Sequence, residues 1–126
     1  MEIKFLNVDL VIYSTECLQY LADELVKDVF VHFNGEWENG MNCFSLSVKY
    51  SFGKTADEII SELCFLIENL SSESRLIWEN SHSKKFDIGF ESGNVERLET
   101  EIKSENIERI AKLGASILIT IYTITD

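Results

Sequence analysis

Residues 84–93 read KKFDIGFESG, a stretch in which apolar and polar side chains alternate as they do in a half-buried β-strand. Alternation in a strand places two sets of side chains on opposite faces of the sheet. The apolar set is Phe86, Ile88 and Phe90, and the other set is Asp87, Gly89 and Glu91. We therefore expect Asp87 to lie on the solvent-facing side of the sheet and not within the core.

The next segment, ERLETEI at residues 96–102, alternates in the same way, and a Ser-Gly-Asn turn precedes it. This pattern predicts an antiparallel hairpin, because a short turn between two alternating runs favours one. The simplest register is given by three cross-strand pairs. They are Glu91 with Arg97, Gly89 with Glu99, and Asp87 with Glu101.

The acidic face of this predicted hairpin has three interpretations. It is a solvated sheet surface, an anionic surface that receives a basic partner, or a pair of catalytic carboxylates. The catalytic interpretation requires one acid whose pKa is raised by burial in a pocket, and the sequence indicates no pocket there.

The whole chain of 126 residues has the order βαββααββαβ by its hydrophobic periodicity. We predict an α+β fold in a single domain spanning residues 1–126, with one mixed, mostly antiparallel sheet of about six strands and helices mainly on one face. The first part, βαββαβ, has the order of a ferredoxin-like split βαβ unit.

Local signals support several of these elements. The dipeptides Asn34-Gly35 and Asn39-Gly40 predict a hairpin with an enlarged tip. Thr55 and Glu58 have the spacing of a capping box, and Gly114 suits the end of a helix. Ser14 and Ser104 are the predicted N-caps of two further helices.

Two tryptophans have different predicted roles. Trp78 stands beside Leu76 and Ile77 and is expected in the core. Trp37 lies in the hairpin tip, where it either folds back over the core edge or contacts a partner.

The formal net charge is −11, from 11 basic and 22 acidic residues. This balance argues against direct binding of nucleic acid or of anionic lipid, since both need clustered Lys and Arg. It favours a soluble monomer or a cationic partner. The N-terminal sequence lacks the basic start of a signal peptide, and the three widely spaced cysteines suggest reduced thiols, so we expect a cytoplasmic protein.

No catalytic, cofactor or metal motif is recognisable in the sequence. His32 falls on the polar side of a strand, and His82 follows a short helix. Neither has a Ser or Cys arrangement nearby in sequence that would specify a nucleophile. We expect no cofactor and no metal.

The run LIW, followed by FDIG, an acidic segment and the closing LGASILITIY, resembles small bacterial immunity proteins of polymorphic or contact-dependent-inhibition toxin systems. The resemblance implies a cytoplasmic, non-enzymatic protein that binds and blocks a toxin domain. It transfers no binding residue by position. Our candidates for partner binding come from the acidic pattern and the loop tryptophan. They are Glu36, Trp37, Glu38, Asp87, Glu91, Glu99 and Glu101.

Two other functions remain open. The first is a small-molecule-binding regulatory domain of ferredoxin-like type, which predicts a concave apolar pocket and symmetric dimers. The second is an enzyme, which requires a cleft where Asp87, Glu91, His32 or His82 converge. Under the immunity interpretation the partner is a basic toxin such as a nuclease, whose approach the acidic surface would steer.

Overall fold

The computed structural model describes residues 2–94 and 97–123. The described part contains five strands in one mixed sheet together with four α-helices, so the predicted α+β class is confirmed, whereas the predicted number of about six strands is one too many. The strands are β1 (Lys4–Ser14), β2 (Val29–Glu36), β3 (Asn42–Val48), β4 (Ser83–Glu91) and β5 (Ser116–Tyr122). The α-helices are α1 (Gln19–Leu25), α2 (Ala56–Glu68), α3 (Ser72–Asn80) and α4 (Ser104–Lys112), and a short 3-10 helix spans Glu38–Gly40.

The strand order across the sheet is β2-β3-β1-β4-β5. The first three neighbouring pairs are antiparallel, and β4 and β5 are parallel. Strands β1 and β2 therefore run in the same direction with β3 inserted between them, which is the split βαβ arrangement expected for the first part of the chain. Helix α4 connects β4 to β5 and extends this four-stranded unit by one strand.

The predicted hairpin between residues 85–91 and 96–102 is wrong. Residues 97–102 form no strand, and residues 95 and 96 lie outside the described residues. Both edges of β4 are already occupied, because β1 pairs with one and β5 with the other. The proposed partners of Asp87 and Glu91 change accordingly. Asp87 lies opposite Asp9 and Leu118, and Glu91 lies opposite Lys4 and Tyr122.

The hydrophobic core lies between the sheet and the helices. Each of the three central strands contributes alternate residues to it, as the pleat requires. The fully buried strand residues include Val8, Leu10, Ile12, Phe44, Leu46 and Phe86, and helix α2 adds Ile59, Ile60, Leu63 and Ile67. Trp78 is completely buried as predicted, and its indole Nε1 donates a 2.8 Å hydrogen bond to the carbonyl oxygen of Leu113.

The opposite side of the sheet is not covered by the four helices, and we call it the open face. Its side chains alternate with those of the core along each strand. Its three central strands carry Asp9, Ser47 and Asp87, and its two outer strands carry Phe30, His32, Phe33, Leu118, Thr120 and Tyr122.

The β2–β3 hairpin with Asn39-Gly40 at its tip and the capping box are confirmed, whereas the turn predicted at Asn34-Gly35 is wrong, because both residues lie within β2 and pair with β3. Asn39 and Gly40 at the hairpin tip both have positive φ, at 60° and 74°, which explains the need for this dipeptide. Thr55 Oγ1 accepts a hydrogen bond from the Glu58 amide, and Glu58 Oε1 accepts one from the Thr55 amide. Gly114 has φ 72° after the last turn of α4, as expected of a helix stop.

The two predicted serine caps are wrong. Ser14 is the last residue of β1, and α1 begins only at Gln19. The N-cap of α4 is Lys103, not Ser104, and its side chain provides no cap. The Oδ1 atom of Asp57 on α2 accepts hydrogen bonds instead, from the Lys103 amide at 2.9 Å and from Asn106 Nδ2 at 2.9 Å. A neighbouring helix therefore supplies an acceptor at the start of α4, for the Lys103 amide and the Asn106 side chain, and no side chain of the described residues caps the amides of the first turn.

Candidate functional site

A row of polar side chains crosses the open face from β2 to β5. His32 Nε2 lies 2.9 Å from Ser47 Oγ and 3.4 Å from Asp9 Oδ1. Asp9 is the direct cross-strand neighbour of Asp87. The hydroxyl of Thr120 donates a 2.7 Å hydrogen bond to Asp87 Oδ1. We call these five residues the polar row.

The structure explains why His32 reaches so far across the sheet. The register of β2 against β3 shifts between Val31 and Phe33, which is a β-bulge that re-aims the residue between them. Ser47 on β3 is small, and it is only 3 % exposed beneath the imidazole. The His32 ring therefore passes over Ser47 and reaches Asp9 on the next strand.

The two carboxylates of the row create a local excess of negative charge. Burial raises the pKa of Asp9 above its ordinary value, the charge of His32 acts against this rise, and the nearby Asp87 adds to it. Like charges placed directly opposite each other on neighbouring strands are unfavourable. The centre of the open face therefore favours a cation that approaches both carboxylates.

Aromatic side chains lie at both ends of the polar row. On β2, the rings of Phe30 and His32 are 5.0 Å apart, and Phe33 packs edge-on against Trp37 at 5.2 Å. Trp37 is 49 % exposed, so it does not fold back over the core. On β5, the half-exposed Tyr122 lies beside Gly89, where an added Cβ would meet the Tyr122 ring at an ordinary 3.5 Å.

Asp, His and Ser are the residue types of a nucleophilic triad, but their geometry here is different. In such a triad the two imidazole nitrogens contact different partners. Here the same atom, His32 Nε2, lies nearest to both Ser47 and Asp9. The hydroxyl of Ser47 is also covered by the ring, which keeps it from a substrate. The row is thus arranged to hold charge and hydrogen bonds at a surface.

The seven predicted partner-binding residues do not form one patch. Asp87 lies in the polar row, and Glu91 lies on the same face at the far end of β4. The hairpin tip is at the opposite end of the sheet, since β2 ends where β4 begins. That tip carries Glu36, Trp37 and Glu38, while Glu99 and Glu101 lie in the exposed segment 97–103 beside β5.

Sequence reasoning missed three members of the row, Asp9, Ser47 and Thr120, and it named His32 only for the enzyme interpretation. Asp9 carried a usable signal, because it interrupts the apolar run VDLVIY at a position facing away from Val8 and Leu10. No local sequence signal indicated the contact of His32 with Ser47. This contact depends on the bulge in β2 and on the pairing of three strands, which local patterns do not contain.

A second feature is an open cleft of about 710 Å³ between α2, the end of β3 and the loop that follows it. Four cationic side chains line it together with Tyr50 and Phe65. The cations are Lys27, Lys49, Lys54 and Arg109. Lys54 is paired with Glu62 at 2.7 Å, and Arg109 is paired with Glu68 at 2.8 Å. Lys27 and Lys49 form no ion pair among the described residues.

Other chemistry is limited in the described part of the chain. No group of three or more His, Cys, Asp or Glu side chains there is arranged to hold a metal ion. Cys43 and Cys64 are buried thiols, Cys17 is exposed, and burial raises the pKa of Cys64 to about 11. Within residues 2–94 and 97–123, no helix has the length and apolar character needed to cross a bilayer.

Comparison with known proteins leaves the function open. No protein-family model matches the chain, and no match is found among curated proteins or among solved structures.

Proposed function

We propose that this protein is a non-catalytic immunity protein that binds and neutralises a cognate bacterial toxin domain, and that the open face is its contact surface. The observation that carries the proposal is the pair Asp9 and Asp87, two opposed carboxylates at the centre of a sheet face that no described helix covers. The partner's contribution is a Lys or Arg side chain that inserts between them.

Electrostatics gives this pair its binding role. Each carboxylate loses attraction to water through partial burial, and each repels the other. A cation that contacts both relieves the repulsion and replaces the lost solvation. The net charge of −11 adds long-range attraction for a basic domain, which raises the association rate most strongly at low salt.

The aromatic residues around the row supply the apolar part of the interface. Exposed Phe30, Phe33 and Trp37 lie on one side, and Tyr122 lies on the other. Aromatic residues and fully desolvated charges are the groups that dominate binding free energy in protein interfaces. Arginine suits this surface particularly well, because its planar guanidinium pairs with carboxylates and stacks on aromatic rings.

The experiment is affinity capture from cells of the source organism, with elution along a salt gradient. The protein, Asp87→Asn and Glu73→Gln are immobilised side by side. The last two variants remove the same charge, but Glu73 is exposed on α3 in the helix layer. We expect a basic protein that the wild type and Glu73→Gln retain and that Asp87→Asn releases at lower salt.

Neutralisation is then tested directly. The captured protein is expressed in a susceptible bacterium with and without this chain, and growth is measured. Growth arrest that the chain relieves supports the immunity function. A captured protein that is not toxic, or one that Asp87→Asn and Glu73→Gln retain equally, contradicts the proposal.

A second candidate is a small-molecule-binding regulatory domain of ferredoxin-like type. It is favoured by the split βαβ arrangement of β1–β4 and by the cleft beside α2. The cleft is lined by charged residues of both signs, including Asp28, Glu58 and Glu62, so it is not the apolar pocket first expected. Lys27 and Lys49, which form no ion pair among the described residues, and the two aromatic rings make an aromatic anion the ligand class to screen. A thermal-shift screen tests it, with Lys49→Glu as the variant that abolishes stabilisation by a true ligand.

A further inference from the structure

The outer edge of β5 lacks the features that usually protect an edge strand. Natural edge strands are shortened, bent by bulges, or provided with charged residues and proline. β5 has seven residues and an uninterrupted register with β4, from Lys85 opposite Ser116 to Glu91 opposite Tyr122. No strand of residues 2–94 and 97–123 pairs with its outer edge.

The other edge of the same sheet is different. β2 contains the bulge between Val31 and Phe33, and it carries His32, Asn34 and Glu36. In contrast, residues 113–125 contain no Asp, Glu, Lys or Arg, which is the longest uncharged run in the sequence. In a chain of net charge −11, this edge is the place where two copies approach with the least repulsion.

We propose that β5 pairs antiparallel with β5 of a second copy, and that the protein is a symmetric dimer with one continuous ten-stranded sheet. A two-fold axis at Ile119, the middle residue of β5, pairs all seven residues. Ile119 then faces its own counterpart, and Ile117 faces Ile121 of the second copy. The same symmetry leaves both open faces uncovered on one side of the joined sheet.

The apolar surface available at this edge suits a dimer. Five side chains of β5 are between 40 % and 64 % exposed: Ile117, Leu118, Ile119, Ile121 and Tyr122. They offer on the order of 500 Å² per copy. A groove beside them, lined by Phe90, Leu98 and Ile102, adds further apolar area. With the backbone edge, the total approaches the roughly 800 Å² that each partner buries in a standard interface.

Charges near the two ends of β5 favour the antiparallel orientation. Lys85 lies opposite Ser116, and Lys84 Nζ approaches Gly114, so the first end of the strand is basic. Glu91 lies opposite Tyr122, and Glu101 lines the groove beside Ile121, so the second end is acidic. Antiparallel pairing brings the basic end of each copy to the acidic end of the other. Parallel pairing would align ends of like charge.

The test is sedimentation equilibrium of the full chain over a wide concentration range. We expect the wild type to dissociate reversibly from dimer to monomer. Ile119→Lys and Ile121→Lys, at residues 60 % and 64 % exposed, should each raise the dimer dissociation constant at least about 100-fold, because every dimer loses two buried isoleucines. Circular dichroism checks that each variant is folded.

The matched control is Phe30→Lys, at a residue 58 % exposed on β2, the opposite edge. It should leave the dimer unchanged. A wild type that is monomeric at every concentration overturns the proposal, and so does growth into species larger than dimers. It is also overturned if Phe30→Lys dissociates the dimer while the two β5 variants do not.

Discussion

Asp9 on β1 and Asp87 on β4 lie directly opposite each other, so two carboxylates share the centre of an uncovered sheet face. His32 contacts the first and the hydroxyl of Thr120 donates to the second. Like-charged cross-strand pairs are unfavourable, so this pair is not expected to increase the stability of the fold. Its two carboxylates suit a surface that binds a cation.

The first prediction concerns Asp9→Asn. Burial raises the pKa of Asp9, so the folded state holds its proton more tightly than the unfolded chain does. The resulting stabilisation is present below the unfolded pKa and is lost as the pH rises through the folded pKa. At pH 7 the variant should therefore be more stable than the wild type, by less than about 1 kcal/mol at this partly exposed site.

Denaturant unfolding at several pH values measures this effect. The advantage of Asp9→Asn should shrink as the pH falls through the raised folded pKa and should be gone below about 4, the unfolded pKa of aspartate. Glu16→Gln, at an exposed position after β1, removes one negative charge as Asp9→Asn does and is the control. An Asp9→Asn variant that is less stable at pH 7 would show that the contact with His32 outweighs burial.

The second prediction concerns Glu24 on α1, whose pKa is shifted in the opposite direction to that of Asp9. Its carboxylate accepts hydrogen bonds from the Ser71 amide at 2.8 Å, the Ser71 hydroxyl at 2.6 Å and the Ser74 hydroxyl at 2.7 Å. These hydrogen bonds, led by that of the Ser71 side chain, lower the pKa of Glu24. The stabilisation is present above the unfolded pKa and is lost as the pH falls through the folded pKa.

Glu24→Ala should lower the free energy of unfolding by about 1 kcal/mol at pH 7, comparable with the loss of a helix cap. This loss of unfolding free energy should become smaller as the pH falls into the acidic range. Asp23→Ala on the same helix is a control, since among the described residues its carboxylate accepts a hydrogen bond only from Gln19, one turn earlier. Equal effects of the two variants at pH 7 would argue against a link between α1 and α3.

The third prediction concerns Asp57, which accepts hydrogen bonds at the start of a helix other than its own. Asp57→Ala removes the acceptor for Lys103 and Asn106 and should destabilise the protein by about 1 kcal/mol. Asp57→Asn keeps a side-chain oxygen and should retain most of the stability. Hydrogen exchange provides the decisive readout, because amides in the first turn of α4 should lose protection more than those of α3.

The fourth prediction compares two glycines. Gly114 has φ 72°, so Gly114→Ala should cost about 1–2 kcal/mol in the free energy of unfolding. Gly35 has no positive φ, and an added Cβ would meet the Phe33 ring at an ordinary 3.6 Å. Gly35→Ala should therefore change stability by no more than about 0.5 kcal/mol. Similar losses at both sites would show that Gly114 is not needed for its backbone conformation.

Much of the fold follows from short stretches of sequence. The β2–β3 hairpin depends on Asn39-Gly40, and α2 begins at the capping box of Thr55 and Glu58. In both cases the decisive contacts join residues close in the chain, so a local pattern contains them. The order βαββαβ also constrains the first four strands to one common arrangement.

The errors arose where a contact joins distant segments. Residues 97–102 alternate like a strand, but β1 and β5 already occupy both edges of β4. Ser104 looks like a helix cap, but Asp57 supplies an acceptor at the start of α4. The candidate site had the same weakness. Asp87 was placed correctly on the solvent-facing side of the sheet, whereas its pairing with Asp9 became visible only through the register of β1 against β4.

The central claim is that the polar row on the open face binds a basic partner. The most direct measurement is the affinity of the captured partner for wild type, Asp87→Asn and Glu73→Gln, determined by titration calorimetry at several salt concentrations. Both variants lose one negative charge, so a nonspecific charge effect predicts equal losses.

We predict that Asp87→Asn weakens binding at least about tenfold and flattens its salt dependence, because a paired cation loses one of its two carboxylates. Glu73→Gln should stay within about twofold of the wild type. Equal affinities for all three proteins, or a larger loss for Glu73→Gln, would contradict a binding role for the open face.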